Sequence, residues 1–315
     1  MASAILLALA PVFFGMALGY VAGRLRIVDN SEVDGFNALV MDFALPASLF
    51  VATASAPRSE MVAQEPLFAI LGVVMLLMYF AWYFLLRAAW RVNKADASLQ
   101  ALIVAFPNIA GVGLPIASAV LGPDGIVPAA VVLAAGSILV SPLTLILVEM
   151  STKKGEVSGK PTARVARAIW RALTKPIVVA PALGILVSLS GLQLGSVIEA
   201  CLMLIGHAAP GVALFLTGLI LSSQSFRLGW KVVSATWLAD IVRPLLTAAV
   251  VFVLPVATDV AKVAILFAAM PSGFFGILFA VKYRLDAATA GSMVTSSTVL
   301  SVVTMAIAIA VLFPH

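Results

Sequence analysis

The chain has 315 residues, of which 63% are hydrophobic and 10% charged, with a formal net charge of +5. A soluble domain carries about a quarter charged residues, so this composition excludes a soluble enzyme or nucleic-acid-binding domain and implies a surface solvated largely by lipid. The basic residues cluster by loop, so the charge reads as membrane topology, with no nucleic-acid partner expected.

A spanning helix needs about 20 apolar residues. Runs that meet this requirement fall at 4–22, 36–56, 66–86, 97–121 and 126–148, and again at 176–192, 197–221, 232–253, 260–281 and 287–313. They predict an all-α integral membrane protein of ten spans. In the first run Ala8-Leu9-Ala10 resembles a signal-peptidase site. No basic segment precedes it and the apolar run continues to Ala22, so a retained first helix is expected. Between the fifth and sixth runs lies a basic linker, 151–175, which separates residues 1–150 from 176–315. Its stretch around Arg164, Arg167, Trp170 and Arg171 is expected to lie on an anionic leaflet of the lipid bilayer. In the seventh run Cys201 stands among Leu, Met and Ala, which predicts a buried, inert thiol and leaves no cysteine metal site.

Alternate loops hold sixteen Lys and Arg residues, against Arg58 and Lys262 on the opposite side, with Arg243 inside a span. The positive-inside rule makes the rich side cytoplasmic. A multi-pass protein of the cytoplasmic (inner) membrane is expected, with both termini outside and an even number of spans.

The two halves repeat one another. Pro46 to Pro107 and Pro210 to Pro271 are both 61 residues apart. Ser137, Ser141 and Thr144 share their spacing with Ser297, Ser301 and Thr304, and Pro11 with Gly19 matches Pro176 with Gly184. Five spans per half is an odd number, so the second half enters from the opposite side: two inverted five-helix repeats.

The fourth run contains Pro107-Asn108-Ile109-Ala110-Gly111-Val112-Gly113-Leu114-Pro115, and the ninth contains Pro271-Ser272-Gly273-Phe274-Phe275-Gly276. Proline removes an internal hydrogen bond and glycine tolerates unwound backbone, so both helices are expected to break in mid-span and to cross. Unwound backbone at membrane depth marks a binding site, and half-helix N-termini there favour a carboxylate. The plain alternative is that these residues only aid helix packing.

These residues resemble a known family. Phe106-Pro107-Asn108, then Gly111 and Gly113-Leu114-Pro115-Ile116, together with Phe43-Ala44-Leu45-Pro46 and the 269–304 stretch, look like the auxin efflux carrier family, whose fold is similar to that of bile acid/sodium symporters. The length and short central loop are most similar to its bacterial malonate-transporter-like members. The resemblance implies a crossed-helix transporter with a scaffold and a transport domain, often a homodimer, that moves a small organic anion such as a mono- or dicarboxylate. It places the family's crossover asparagine at Asn108. The matching position after proline in the ninth span is Ser272, which has no amide.

The expected substrate-binding set is therefore Asn108 with Pro107, Gly111, Gly113, Pro271, Ser272 and Gly273, joined by Ser137, Ser141, Ser297 and Arg243. The alternative for the Ser hydroxyls is a bond back to their own helices. Ionisable groups inside spans are functional candidates, so Asp42, His207 and Asp240 are the coupling candidates. Asp240 and Arg243, three residues apart, are close enough to pair on one helix face, either as a structural ion pair or with the arginine meeting substrate. In the related symporter fold a carboxylate or amide on the second crossing helix helps to hold sodium. Here 270–273 offer neither, which favours a proton as coupling ion, or uniport, over sodium. No cofactor or metal is expected. No intramembrane protease motif is present: Gly111-Val112-Gly113 is followed by Leu114, and Gly136-Ser137 continues as Ile-Leu-Val. A sensor or channel of the same fold is the remaining alternative.

Overall fold

The computed structural model describes residues 2–152, 161–223 and 226–314, and these are helical apart from turns, loops and one short antiparallel bridge. In chain order the helices are α1 (Ala2–Arg24), α2 (Asn30–Ala54), α3 (Glu65–Ala89), α4 (Lys94–Ala105), α5 (109–121), α6 (Val127–Ser151) and α7 (Pro161–Leu173). They continue as α8 (Pro176–Ser190), α9 (Ser196–Ser222), α10 (Trp230–Val253), α11 (Thr258–Ala268), α12 (Phe275–Lys282) and α13 (Ala287–Leu312). Among the described residues six helices, α2, α3, α6, α9, α10 and α13, are long and apolar enough to cross a membrane, and α8 is a shorter apolar helix. The fourth and ninth expected spans are each two short helices, α4 with α5 and α11 with α12, as the prolines and glycines require.

Proline also shapes the unbroken helices. Wide π-helical turns at Leu39–Ala44, Ile109–Gly113, Gly136–Val140 and Leu238–Val242 each end two residues before a proline: Pro46, Pro115, Pro142 and Pro244. The extra residue per turn relieves the clash between a proline ring and the carbonyl one turn back without breaking the helix. On the basic side α1, α3 and α12 end alike. Arg26, Arg91 and Arg284 take left-handed backbone angles (φ 55°, 50° and 53°). After α1 and α12 the chain folds back through Ile27 N–H to Ala22 O (2.9 Å) and Leu285 N–H to Ala280 O (2.8 Å). A cation at such a cap also complements the negative end of the helix dipole.

Close packing groups the helices. α1 lies along the second half of α9, where a methyl group on Gly19 would fall 1.8 Å from the Phe215 carbonyl oxygen and one on Gly218 would fall 1.9 Å from that of Met16. α8 lies along α2, where a methyl on Gly184 would fall 1.9 Å from Thr53 Oγ1 and 2.7 Å from Phe50 O. Small residues let these backbones touch, which is the main source of helix association in lipid. α3, α6, α10 and α13 pack around the broken helices.

One expectation needs correction. Cys201 is exposed on α9, not buried. Apolar neighbours predict burial in a soluble protein, but in lipid they serve equally well on the outer face, and Leu204 nearby is 86% exposed. His207, at the bend in the middle of α9, is likewise exposed. Residues 153–160 of the basic linker lie outside the described residues, as does the Arg164 side chain. Over the rest of α7, Arg167 and Trp170 are exposed, Ala172 is buried, and Arg171 reaches Glu149 at the end of α6 (3.5 Å).

Candidate functional site

The two broken helices meet as an antiparallel bridge between Pro107 and Ser272. Asn108 N–H donates to Pro271 O (2.7 Å), and Gly273 N–H donates to Phe106 O (2.9 Å). Backbone released by one proline break is thus satisfied by the other, which answers the question of how unwound chain survives away from water. Gly273 is required at this point, because a methyl there would lie 2.9 Å from the Phe106 oxygen. The Phe106 ring stacks on Phe275 (4.9 Å between centroids, 6° apart) and covers Gly136, the first residue of the π turn of α6.

Asn108 is 2% exposed. Its side-chain oxygen accepts from Gly111 N–H (3.0 Å), which makes it the N-cap of α5. The amide of Asn108 lies against Gly111, where a methyl would be 2.9 Å from Oδ1 and 3.2 Å from Nδ2. Gly113 faces its own helix, at Ile109.

Arg243, from α10, is 1% exposed and binds the crossing from one side. Its guanidinium donates to Val104 O (2.8 Å), to Ala268 O (2.9 Å) and to Met270 O. These carbonyls belong to the ends of α4 and α11, so one cation caps the C-termini of both first half-helices. The planar fork of arginine suits this task, whereas a lysine ammonium presents a point charge. The electrostatic result is asymmetric. The two negative helix ends at the crossing are neutralised, while the two positive N-terminal ends, of α5 and α12, are left to act on whatever binds there.

The expected contact between Asp240 and Arg243 is not made. Each group bonds elsewhere, because the carbonyls of the broken helices hold the guanidinium. Asp240, 1% exposed, accepts through Oδ1 from Ser297 Oγ (2.6 Å), and Ser297 Oγ accepts from Ser272 N–H (2.8 Å). A continuous chain therefore runs from the crossing backbone through a hydroxyl to a buried carboxyl, whose Oδ2 has no partner among the described residues.

Of the other candidates, Ser137 and Ser141 are buried on α6, their hydroxyls without partners among the described residues. Asp42 is not at the crossing. It pairs with Lys282 (2.7 Å) in a cleft lined also by Lys175, Pro176 and Tyr283. His207 is on the outer face of α9, remote in kind from the buried polar set. The carbonyl partners of Arg243 carry no residue-type signal at all. Among the described residues no group of His, Cys, Asp and Glu is arranged to hold a metal.

The comparisons agree with this architecture. A family profile described as membrane transport protein matches residues 4–309. The chain is 28% identical over 299 residues to an uncharacterized transporter, YfdV, of Escherichia coli, covering 94% of each chain. It is 25% identical over 296 residues to an uncharacterized transporter of Methanothermobacter thermautotrophicus, covering 91% of this chain and 92% of that one. It is also 24% identical over 328 residues to auxin efflux carrier component 8 of Arabidopsis thaliana, covering 88% and 89%. A match of this extent, on a chain of apolar helices broken at paired prolines, means that the protein belongs to the membrane transport protein family, that of the auxin efflux carriers.

Proposed function

We propose that this chain is a secondary transporter of a small organic anion, a mono- or dicarboxylate such as malonate, which binds at the crossing of α4/α5 with α11/α12 and moves by alternating access. The observation that carries this reading is the charge asymmetry of the crossing. Arg243 neutralises both helix C-termini there, so the remaining field comes from two N-termini and favours a carboxylate. The reading includes ten spans in two inverted repeats, 1–150 and 176–315, joined by the linker. It is supported by the repeat-equivalent glycines Gly19 and Gly184, each pressed on the backbone of a helix from the other half. A scaffold of α1, α2, α8 and α9 against a transport domain around the crossing follows from the same packing. The homodimer rests on the family resemblance.

Purified protein in liposomes preloaded with unlabelled malonate should accumulate labelled malonate by counterflow, saturably and at least ten-fold above empty liposomes. Flux that is linear in concentration and lacks counterflow would indicate a channel and overturn the carrier reading. The topology has its own test, motivated by the sixteen-to-two charge bias. A phosphatase reporter at the C-terminus, active only outside the cytoplasm, should be active. Activity only from a cytoplasmic reporter at that end would reverse the orientation.

A further inference from the structure

We propose that Asp240 is the proton-binding site of this transporter, and that a proton taken up there turns the crossing into an anion receptor. The inference rests on the carrier reading above and names its coupling ion. It begins with charge. Arg243 is fully engaged by three neutral carbonyls, so its charge is balanced by no hydrogen-bonded anion. Asp240, three residues away on the same helix, is the carboxylate that offsets it.

The other elements packed on this part of α10 supply no competing charge. α13 contains no ionisable residue over Ala287–Leu312. On α4, Lys94 and Asp96 lie in the first turn, where Asp96 accepts from Asp286 N–H (3.0 Å). On α3, Glu65 and Arg87 are at the two ends, and Arg87 bonds Val92 O (2.6 Å). On α11, Asp259 is exposed and Lys262 lies over the Phe313 ring (5.9 Å). Lys231 of α10 itself stands in the first turn, far from Asp240. The Asp240 and Arg243 pair is therefore electrically isolated inside the protein. It is neutral when the carboxyl is ionised and carries +1 when it is protonated.

The geometry says where the proton goes. Oδ1 is held by the Ser297 hydroxyl, while Oδ2 is buried without a partner among the described residues. A proton from water forms an O–H bond at Oδ2 and breaks no existing hydrogen bond. Ser297 remains on Oδ1 and Ser272 N–H remains on Ser297, so the crossing keeps its shape while its charge changes. The uncompensated guanidinium then adds to the two helix N-termini, and an anion is drawn to the crossing. Binding the anion in turn favours the proton, since the two effects are reciprocal. Proton and anion would travel together.

The test is an infrared titration of the full-length protein in phosphatidylcholine liposomes, with no substrate present. Among the C=O stretches of protonated carboxyls that rise on acidification, one component should be missing from Asp240→Asn, yet persist in Asp42→Asn. Ser297→Ala, which keeps the carboxyl but removes its donor, should retain the band with a changed pH midpoint. Should Asp240→Asn not fold, Asp240→Glu should keep a band at a displaced frequency. A wild-type protein with no such band, or a band indifferent to changes at both Asp240 and Ser297, would overturn the proposal. In the same liposomes, malonate uptake should acidify a pyranine-loaded lumen in the wild type, and Asp240→Asn should exchange malonate without acidification. Malonate flux in the wild type with no proton movement also overturns it. Absence of malonate flux altogether counts against the carrier reading alone, because the titration needs no substrate.

Discussion

Arg243→Leu is expected to lower the amount of folded protein in the membrane more than ten-fold. The substitution strips the hydrogen bonds from Val104, Ala268 and Met270 at once. A buried carbonyl left unsatisfied costs about 1–3 kcal/mol. It also leaves the Asp240 carboxyl without its counter-charge, and breaking a buried charged arrangement by removing one member costs about 3–5 kcal/mol. Together these approach the roughly 5–15 kcal/mol by which folded proteins exceed their unfolded states. Arg243→Lys keeps the charge but has no planar fork to reach three carbonyls, so it should be intermediate. The double variant Asp240→Asn with Arg243→Leu should recover part of the loss, because the stranded carboxylate is gone. Size-exclusion of a fluorescent fusion gives abundance and monodispersity together. A monodisperse Arg243→Leu protein at wild-type abundance would refute the cap. If Arg243→Lys instead folds fully and only loses substrate affinity, the arginine serves the substrate and not the helix ends.

What the sequence makes legible here is local. Proline and glycine act on the backbone within one turn, so the breaks at Pro107 and Pro271, and the wide turns before Pro46 and Pro244, follow from residue type alone. Partners across the fold do not. Asp42 and Lys282 lie 240 positions apart, and Asp240 and Ser297 lie 57 apart. Arg243 binds backbone oxygens, which every residue possesses, so no pattern marks them in advance. The three-residue spacing of Asp240 and Arg243 predicts a pair, but the carbonyls of the unwound helices take the guanidinium instead. Cys201 shows a different limit. In lipid an apolar neighbourhood does not distinguish inside from outside, so hydrophobic context cannot assign burial as it does in water. Internal repetition misleads as well as informs. Ser297 joins the crossing to Asp240, while Ser137, which has the matching motif position, has no hydrogen-bond partner among the described residues.

Asn108→Ala is expected to leave a folded, inserted protein whose transport of malonate falls ten-fold or more. The structural loss is small for a specific reason. The bonds that tie the crossing together, Asn108 N–H to Pro271 O and Gly273 N–H to Phe106 O, are made by backbone and survive the substitution. What goes is the cap from Oδ1 to Gly111 N–H, worth about 1 kcal/mol. What also goes is an amide NH2 beside the N-terminus of α5, the donor we assign to the substrate carboxylate. Asn108→Asp separates the two roles. Its carboxylate still caps Gly111, and the helix N-terminus offsets part of the cost of burying that charge, so the protein should still fold, with a lower melting temperature. The same charge repels an anion and supplies no donor, so transport should fall further than in Asn108→Ala. The discriminating result is thus a folded, inserted Asn108→Asp protein that is last in flux. If Asn108→Ala transports malonate normally at normal abundance, the crossing is scaffold only. The anion must then be bound along the serine faces of α6 and α13, where Ser141 and Ser296 hold buried hydroxyls without partners among the described residues.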